Sequence, residues 1–140
     1  MHKKLLIGLF VILALPVLLS GCGEPEPSAS LDGTEWVLTS LNGDSPLQGT
    51  EITLAFDDGE ASGSAGCNTY FGPYTVDGAG GLTFHGLANT EMACLEPEGI
   101  MEQETEYLQT LRSATRYTVT DGQLEILADG GGVLVYRRAP

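Results

Sequence analysis

Beyond Lys4 the chain has no lysine, and its remaining cationic side chains are Arg112, Arg116, Arg137 and Arg138, set against 19 acidic residues. So little positive charge argues against nucleic acid as a partner, because cation–phosphate contacts supply most of that affinity. It also disfavours adhesion to anionic lipid surfaces. Histidine is scarce as well, with only His2 and His85. His85 stands far in sequence from Cys67 and Cys94, and the three do not form a recognisable zinc set. There is neither a nucleophile elbow nor a phosphate-cradling glycine loop. With no catalytic set visible, the chain is expected not to be an enzyme and to need no metal or cofactor. A lone His85 among small and apolar neighbours reads as structural rather than as a general base.

No apolar run is long enough to span a bilayer comfortably. The longest is Leu5–Leu19, interrupted by Pro16, whereas a membrane-crossing helix needs about 20 apolar residues. Lys3 and Lys4 precede this run and the small residues Ser20 and Gly21 follow it, which is the layout of a cleaved export signal over residues 1–21. Leu19-Ser20-Gly21-Cys22 resembles the lipobox of bacterial lipoproteins, which implies acylation of the Cys22 thiol and a new N-terminus there. Acyl chains contribute about 0.8 kcal/mol per buried CH₂, so two or three would hold the protein on a membrane without a helix. Residues 22–30, rich in Pro, Ser and Glu, read as the lipidated cysteine and a flexible tether. The expected location is the cell envelope. In a cell with two membranes, Gly23 in place of an aspartate points to the periplasmic face of the outer membrane; otherwise it is the outer face of the cytoplasmic membrane.

The remainder, near 31–138, is enough for one core and too short for two ordinary domains. With Cys22 assigned to lipid, Cys67 and Cys94 remain as a pair in an oxidising compartment, where a disulfide is the natural state. Closing that loop is worth about 3.5 kcal/mol in the chain-entropy model, an upper figure if the native geometry is strained.

Alternation of apolar and polar residues predicts strands at 36–41, 52–56, 60–66, 74–77, 82–87, 117–120, 123–127 and 133–137. They are separated by turn clusters such as Asp57-Asp58-Gly59 and Asp121-Gly122. Gly63 and Gly66 suggest close backbone approach or a sharp bend. Ile100, Met101, Glu104, Tyr107, Leu108, Leu111 and Ala114 recur at helical spacing. The predicted helix has Pro97 in its first turn, Glu96, Glu98 and Glu102 at its positive end, and Arg112 and Arg116 toward its negative end. Glu96, Glu98, Glu102, Glu104 and Glu106 are read as helix-start or solvated-face charges rather than a cation site. The expected fold class is α+β: a strongly curved antiparallel sheet, or partly open barrel, of about eight strands packed on one helix.

Gly66-Cys67-Asn68-Thr69-Tyr70-Phe71-Gly72 resembles the META domain family, whose HslJ-like members include a bacterial heat-inducible lipoprotein. The resemblance extends to Leu31-Asp32-Gly33-Thr34-Glu35-Trp36, to Leu87-Ala88-Asn89-Thr90-Glu91-Met92-Ala93-Cys94, and to Met101-Glu102-Gln103-Glu104. Cys94 following Thr-x-Met-Ala is the specific signal, and the motif positions Gly66, Asn68, Tyr70, Gly72, Thr90 and Met92 are expected to be structural or binding residues. It implies a compact β-rich fold with a helix, an envelope location and links to stress or antibiotic tolerance, with no established reaction. Asn68 reads as a tight-turn residue or a cap for backbone groups. Tyr70, Phe71 and Tyr74 read as core or sheet-face packing ahead of a binding patch.

The expected function is a lipid-anchored, non-enzymatic interaction or stress-protection module that contacts the membrane through Cys22 and binds an unidentified protein. One alternative is a carrier of a small apolar ligand or lipid in a cavity between sheet and helix. Another is an inhibitor of a secreted hydrolase.

Overall fold

Strand alternation sets the architecture of residues 29–140, the portion described by the computed structural model. The expected export signal, the expected lipidation position Cys22 and most of the expected tether lie outside the described residues. Nine strands follow in order: β1 (Thr34–Leu41), β2 (Thr53–Asp57), β3 (Glu60–Ser64), β4 (Thr69–Val76), β5 (Leu82–Phe84), β6 (Ala88–Asn89), β7 (Ala114–Thr120), β8 (Gln123–Ala128) and β9 (Val133–Arg138). The helix α1 (Ile100–Arg112) stands between β6 and β7. Hydrogen-bonded neighbours run β5-β4-β3-β2-β1-β9-β8-β7, every pairing antiparallel, with β6 added beside the start of β4.

The two ends of this sheet meet. Gly81 bridges Arg116, and the Tyr117 amide donates to the Gly80 carbonyl at 2.9 Å. The result is a nearly closed eight-strand barrel, as the curved-sheet reading anticipated. Asp77 shapes the turn at this seam. Its Oδ1 accepts from the amides of Ala79 and Gly81, and these bonds hold its carboxyl below the usual value.

Inward-facing residues fill the barrel. Trp36, Leu54, Phe56, Tyr70, Leu124, Ile126, Leu134 and Tyr136 are all essentially fully buried. The helix lies over one mouth, bonded through Asn42 to Glu106 and through the Leu47 amide to Gln103. It inserts Tyr107, Leu108 and Leu111 into the core. At the opposite end, buried Leu31 follows Ala29, whose carbonyl accepts from the Tyr117 hydroxyl. The Asp58 amide donates to Asp32 at that same end.

Several local expectations are corrected. The helix starts at Ile100, not at Pro97, because Gly99 takes a left-handed conformation at the N-cap. Glu96 and Glu98 therefore precede the helix, and Arg116 and Ala114 belong to β7. β4 begins at Thr69 rather than Tyr74, because Gly72 and Pro73 are accommodated within it. Gly72 packs on Leu87, and Pro73 stands opposite Glu60 beside the β2–β3 turn. β5 ends at Phe84, and the chain re-enters the sheet as β6.

Candidate functional site

The segment Thr90-Glu91-Met92-Ala93-Cys94 has no regular secondary structure, yet it is fixed at several points. Cys94 is joined to Cys67 by a disulfide with 5.9 Å between Cα atoms. Its amide also donates to the Met101 sulfur at 3.4 Å. Asn68, buried between segment and helix, has every polar position of its side chain engaged. Its Oδ1 accepts from the Met92 amide at 2.7 Å and the Thr90 hydroxyl at 2.8 Å. Its Nδ2 donates to the Met92 carbonyl at 3.0 Å and to Glu104 at 2.6 Å.

Glu104 is the centre of this arrangement. Only 4% exposed, it accepts through Oε2 from the amides of Asn68 (2.6 Å) and Cys67 (3.1 Å), and through Oε1 from Asn68 Nδ2. Three converging donors satisfy a carboxylate that burial alone would disfavour. The solvated-face reading of Glu104 is thus corrected. Its place among Ile100, Tyr107, Leu108 and Leu111 on the apolar stripe was the available signal, since a charge on a buried helical face needs partners. Gln103 likewise bonds the Leu47 amide and the Thr50 hydroxyl.

Between the 89–93 segment and α1 lies an open groove of about 420 Å³. Its lining includes Thr90, Met92, Met101, Thr105, Leu108 and Arg112. Arg112 closes one end, donating to the Leu87 carbonyl and to Asn89. Met92 is 59% exposed and Leu95 87% exposed.

The motif residues separate into groups. Asn68, Thr90 and Met92 meet at the groove. Tyr70 points into the barrel, donating to the Thr53 carbonyl and sharing a 2.7 Å hydrogen bond with Tyr107, which accepts from Tyr136. These three rings occupy the space between helix and sheet, and burial raises the pKa of each phenol. Gly66, with φ of 110°, turns the chain into Cys67. Tyr74 is buried against Phe56, with 4.7 Å between ring centres, whereas Phe71 is exposed. His85 is exposed, its ring bonded to Thr75, and lies outside the groove.

The META domain family model matches residues 29–140. The chain belongs to the META domain family. Among solved structures, a protein from Burkholderia xenovorans determined by NMR is 31% identical, with a TM-score of 0.64 over 90% of this chain and 99% of that one. A second NMR structure is 28% identical, with a TM-score of 0.62 over 76% of this chain and 90% of its own. A DUF4847 family protein from Bacteroides vulgatus shares the fold at 14% identity and a TM-score of 0.58, over 76% and 93% of the two chains. No curated protein matches. Within the META domain of this chain, the Gly-Cys-Asn motif and the Thr-Glu-Met-Ala-Cys motif are thus brought together by the Cys67–Cys94 disulfide and the Asn68 side chain, which the buried Glu104 carboxylate holds in place.

Proposed function

We propose that the chain is an exported lipoprotein, anchored through acylated Cys22, whose META domain is a non-enzymatic interaction module serving stress protection in the cell envelope. The observation that carries the interaction reading is the fixed, partly apolar groove beside Met92. Conserving shape in an irregular segment takes a disulfide, Asn68 and Glu104 together, and a preformed surface binds with less loss of conformational freedom than a mobile one. Large exposed apolar side chains at such a surface are characteristic of interaction sites.

The tether supports the same reading. Ala29 and Leu31 are tied to Tyr117 and Thr34, away from the groove, so a chain leading back to an anchor on Cys22 leaves the groove open to partners. The carrier alternative is less favoured, because Tyr70, Tyr107 and Tyr136 take up the space between helix and sheet.

Two measurements test the proposal. Labelling with a palmitate analogue is expected to mark the wild-type chain in the membrane fraction and to be lost in Cys22→Ala; equal labelling of both would refute the anchor. A photo-crosslinking amino acid at Leu95 is expected to capture a reproducible protein partner in cells that the same residue at Glu125, on β8, does not. Identical products from the two positions would refute the groove as the interaction surface.

A further inference from the structure

The residues around the groove are chemically one-sided. Glu91, Met92 and Met101 line the groove, and Leu95, Glu96, Glu98 and Glu102 are exposed along the chain that runs from it through the start of α1. From Thr90 to Leu111 there is no cationic residue at all. The nearest basic group, Arg112, is at the far end of the groove and is engaged with Leu87 and Asn89. Acidic charge therefore gathers where α1 begins, around the most exposed large apolar side chain of the described residues, Leu95. The acidic residues do not make the site by themselves. The groove, two exposed apolar side chains and a segment pinned at Cys94, Met92 and Thr90 accompany them.

Building on the interaction-module reading, we infer that this groove takes a cationic amphipathic peptide segment, in which leucine-like side chains lie against Met92, Leu95 and Met101 while lysines or arginines face Glu91, Glu96, Glu98 and Glu102. Three arguments single out this occupant. Charge complementarity favours a basic partner and rejects an acidic one, since like charges across an interface are costly. The net charge of the domain repels a second copy of itself, which disfavours self-association through this face. The volume of about 420 Å³ suits a few side chains rather than a folded domain surface. Arg112 adds polarity: it favours an acidic group or the C-terminal carboxylate at the end of the peptide remote from its basic residues.

The mode of binding sets the salt dependence. Exposed carboxylates act at long range and are screened by ions, so they govern the encounter rate more than the lifetime of the complex. The apolar contacts govern dissociation.

The experiment uses the full-length lipoprotein in neutral phosphatidylcholine nanodiscs, with empty nanodiscs as background. The probe is a fluorescent peptide of alternating Lys and Leu carrying a photo-crosslinker. Two controls keep one property each: a Glu/Leu peptide and a Lys/Ser peptide. Anisotropy is expected to show binding of the Lys/Leu probe at least tenfold tighter than either control, weakening as salt is raised, with crosslinks in residues 90–105. Met92→Ser with Leu95→Ser is expected to weaken binding at least tenfold, chiefly through faster dissociation. Glu91→Gln with Glu98→Gln and Glu102→Gln is expected to weaken it several-fold and flatten the salt dependence, and all these positions are exposed enough to spare folding. Equal binding of the Glu/Leu or Lys/Ser peptide overturns the proposal, as do crosslinks mapping elsewhere. A dimer that dissociates on Leu95→Ser also overturns it by assigning the groove to a second copy. If the Lys/Leu probe fails while the crosslinker at Leu95 still captures a partner in cells, the basic-peptide chemistry is wrong and the interaction module stands. If both fail, the module itself falls.

Discussion

Glu104 and Asn68 illustrate how much one buried contact can organise. Glu104→Gln keeps the volume but replaces an acceptor oxygen with a donor NH₂ facing either the Asn68 side chain or two backbone amides. Charged hydrogen bonds of this kind are worth about 1.5–3 kcal/mol each. A loss of roughly 2–4 kcal/mol is expected, read as a lower urea midpoint; an unchanged midpoint would show the network to be dispensable. Glycine gives a paired prediction. A Cβ on Gly63 would lie 2.0 Å from the Thr53 carbonyl oxygen, whereas one on Gly122 meets nothing within 4 Å. Gly122→Ala should cost about 1–2 kcal/mol for its left-handed backbone alone. Gly63→Ala should cost more, because β2 and β3 must separate; the reverse order in thermal melts would contradict this packing.

At the scale of elements, the disulfide and α1 hold a segment that makes little regular structure of its own. Reducing Cys67–Cys94 is expected to lower stability by up to about 3.5 kcal/mol. In a domain of this size that is a fall of up to roughly 10–20 °C in melting temperature. Hydrogen exchange should accelerate first in residues 90–95, while β8 and β9 in the barrel wall stay protected. A melting temperature unchanged after verified reduction would remove the structural role of the bridge. The helix was legible from its apolar spacing, but its start was not. Pro97 and the neighbouring Glu96 and Glu98 suit a first turn chemically, yet the left-handed Gly99 delays the helix to Ile100. From the sequence β4 reads as starting only at Tyr74, since Gly72 and Pro73 are strand breakers in isolation. Leu87 packing on Gly72 is a tertiary reason that local propensity does not contain.

For the whole molecule, the buried phenols predict alkaline unfolding. Burial raises Tyr107 to about 12 and puts Tyr70 and Tyr136 well above the ordinary value of 10.0. Unfolded tyrosines ionise near 10, so the folded pKa values exceed the unfolded ones. The stabilising contribution is complete below about pH 10 and is lost as pH rises through the folded values. Cooperative unfolding is therefore expected between about pH 10 and 12, with phenolate absorbance and loss of circular dichroism rising together. Smooth titration of all five tyrosines with the dichroism unchanged would contradict the buried hydroxyl chain. The same chain was invisible in the sequence, where Tyr70 and Tyr107 stand apart without periodic relation.

By itself the sequence determined the α+β class, the curved antiparallel sheet, the two-residue turns at Asp58-Gly59 and Asp121-Gly122, the helix and the Cys67–Cys94 pair. Each follows from local alternation, turn chemistry or cysteine parity, which act over a few residues or through simple counting. Tertiary structure alone decided that the sheet closes through Gly80 and Tyr117, that Glu104 is buried, and that Asn68, Thr90 and Met92 converge at one groove. Those outcomes depend on which groups distant in sequence, backbone amide and carbonyl at the seam or amide and side chain at Glu104 and Asn68, come within hydrogen-bond reach. Only the closed barrel, by fixing β4 and β6 against α1, sets that distance.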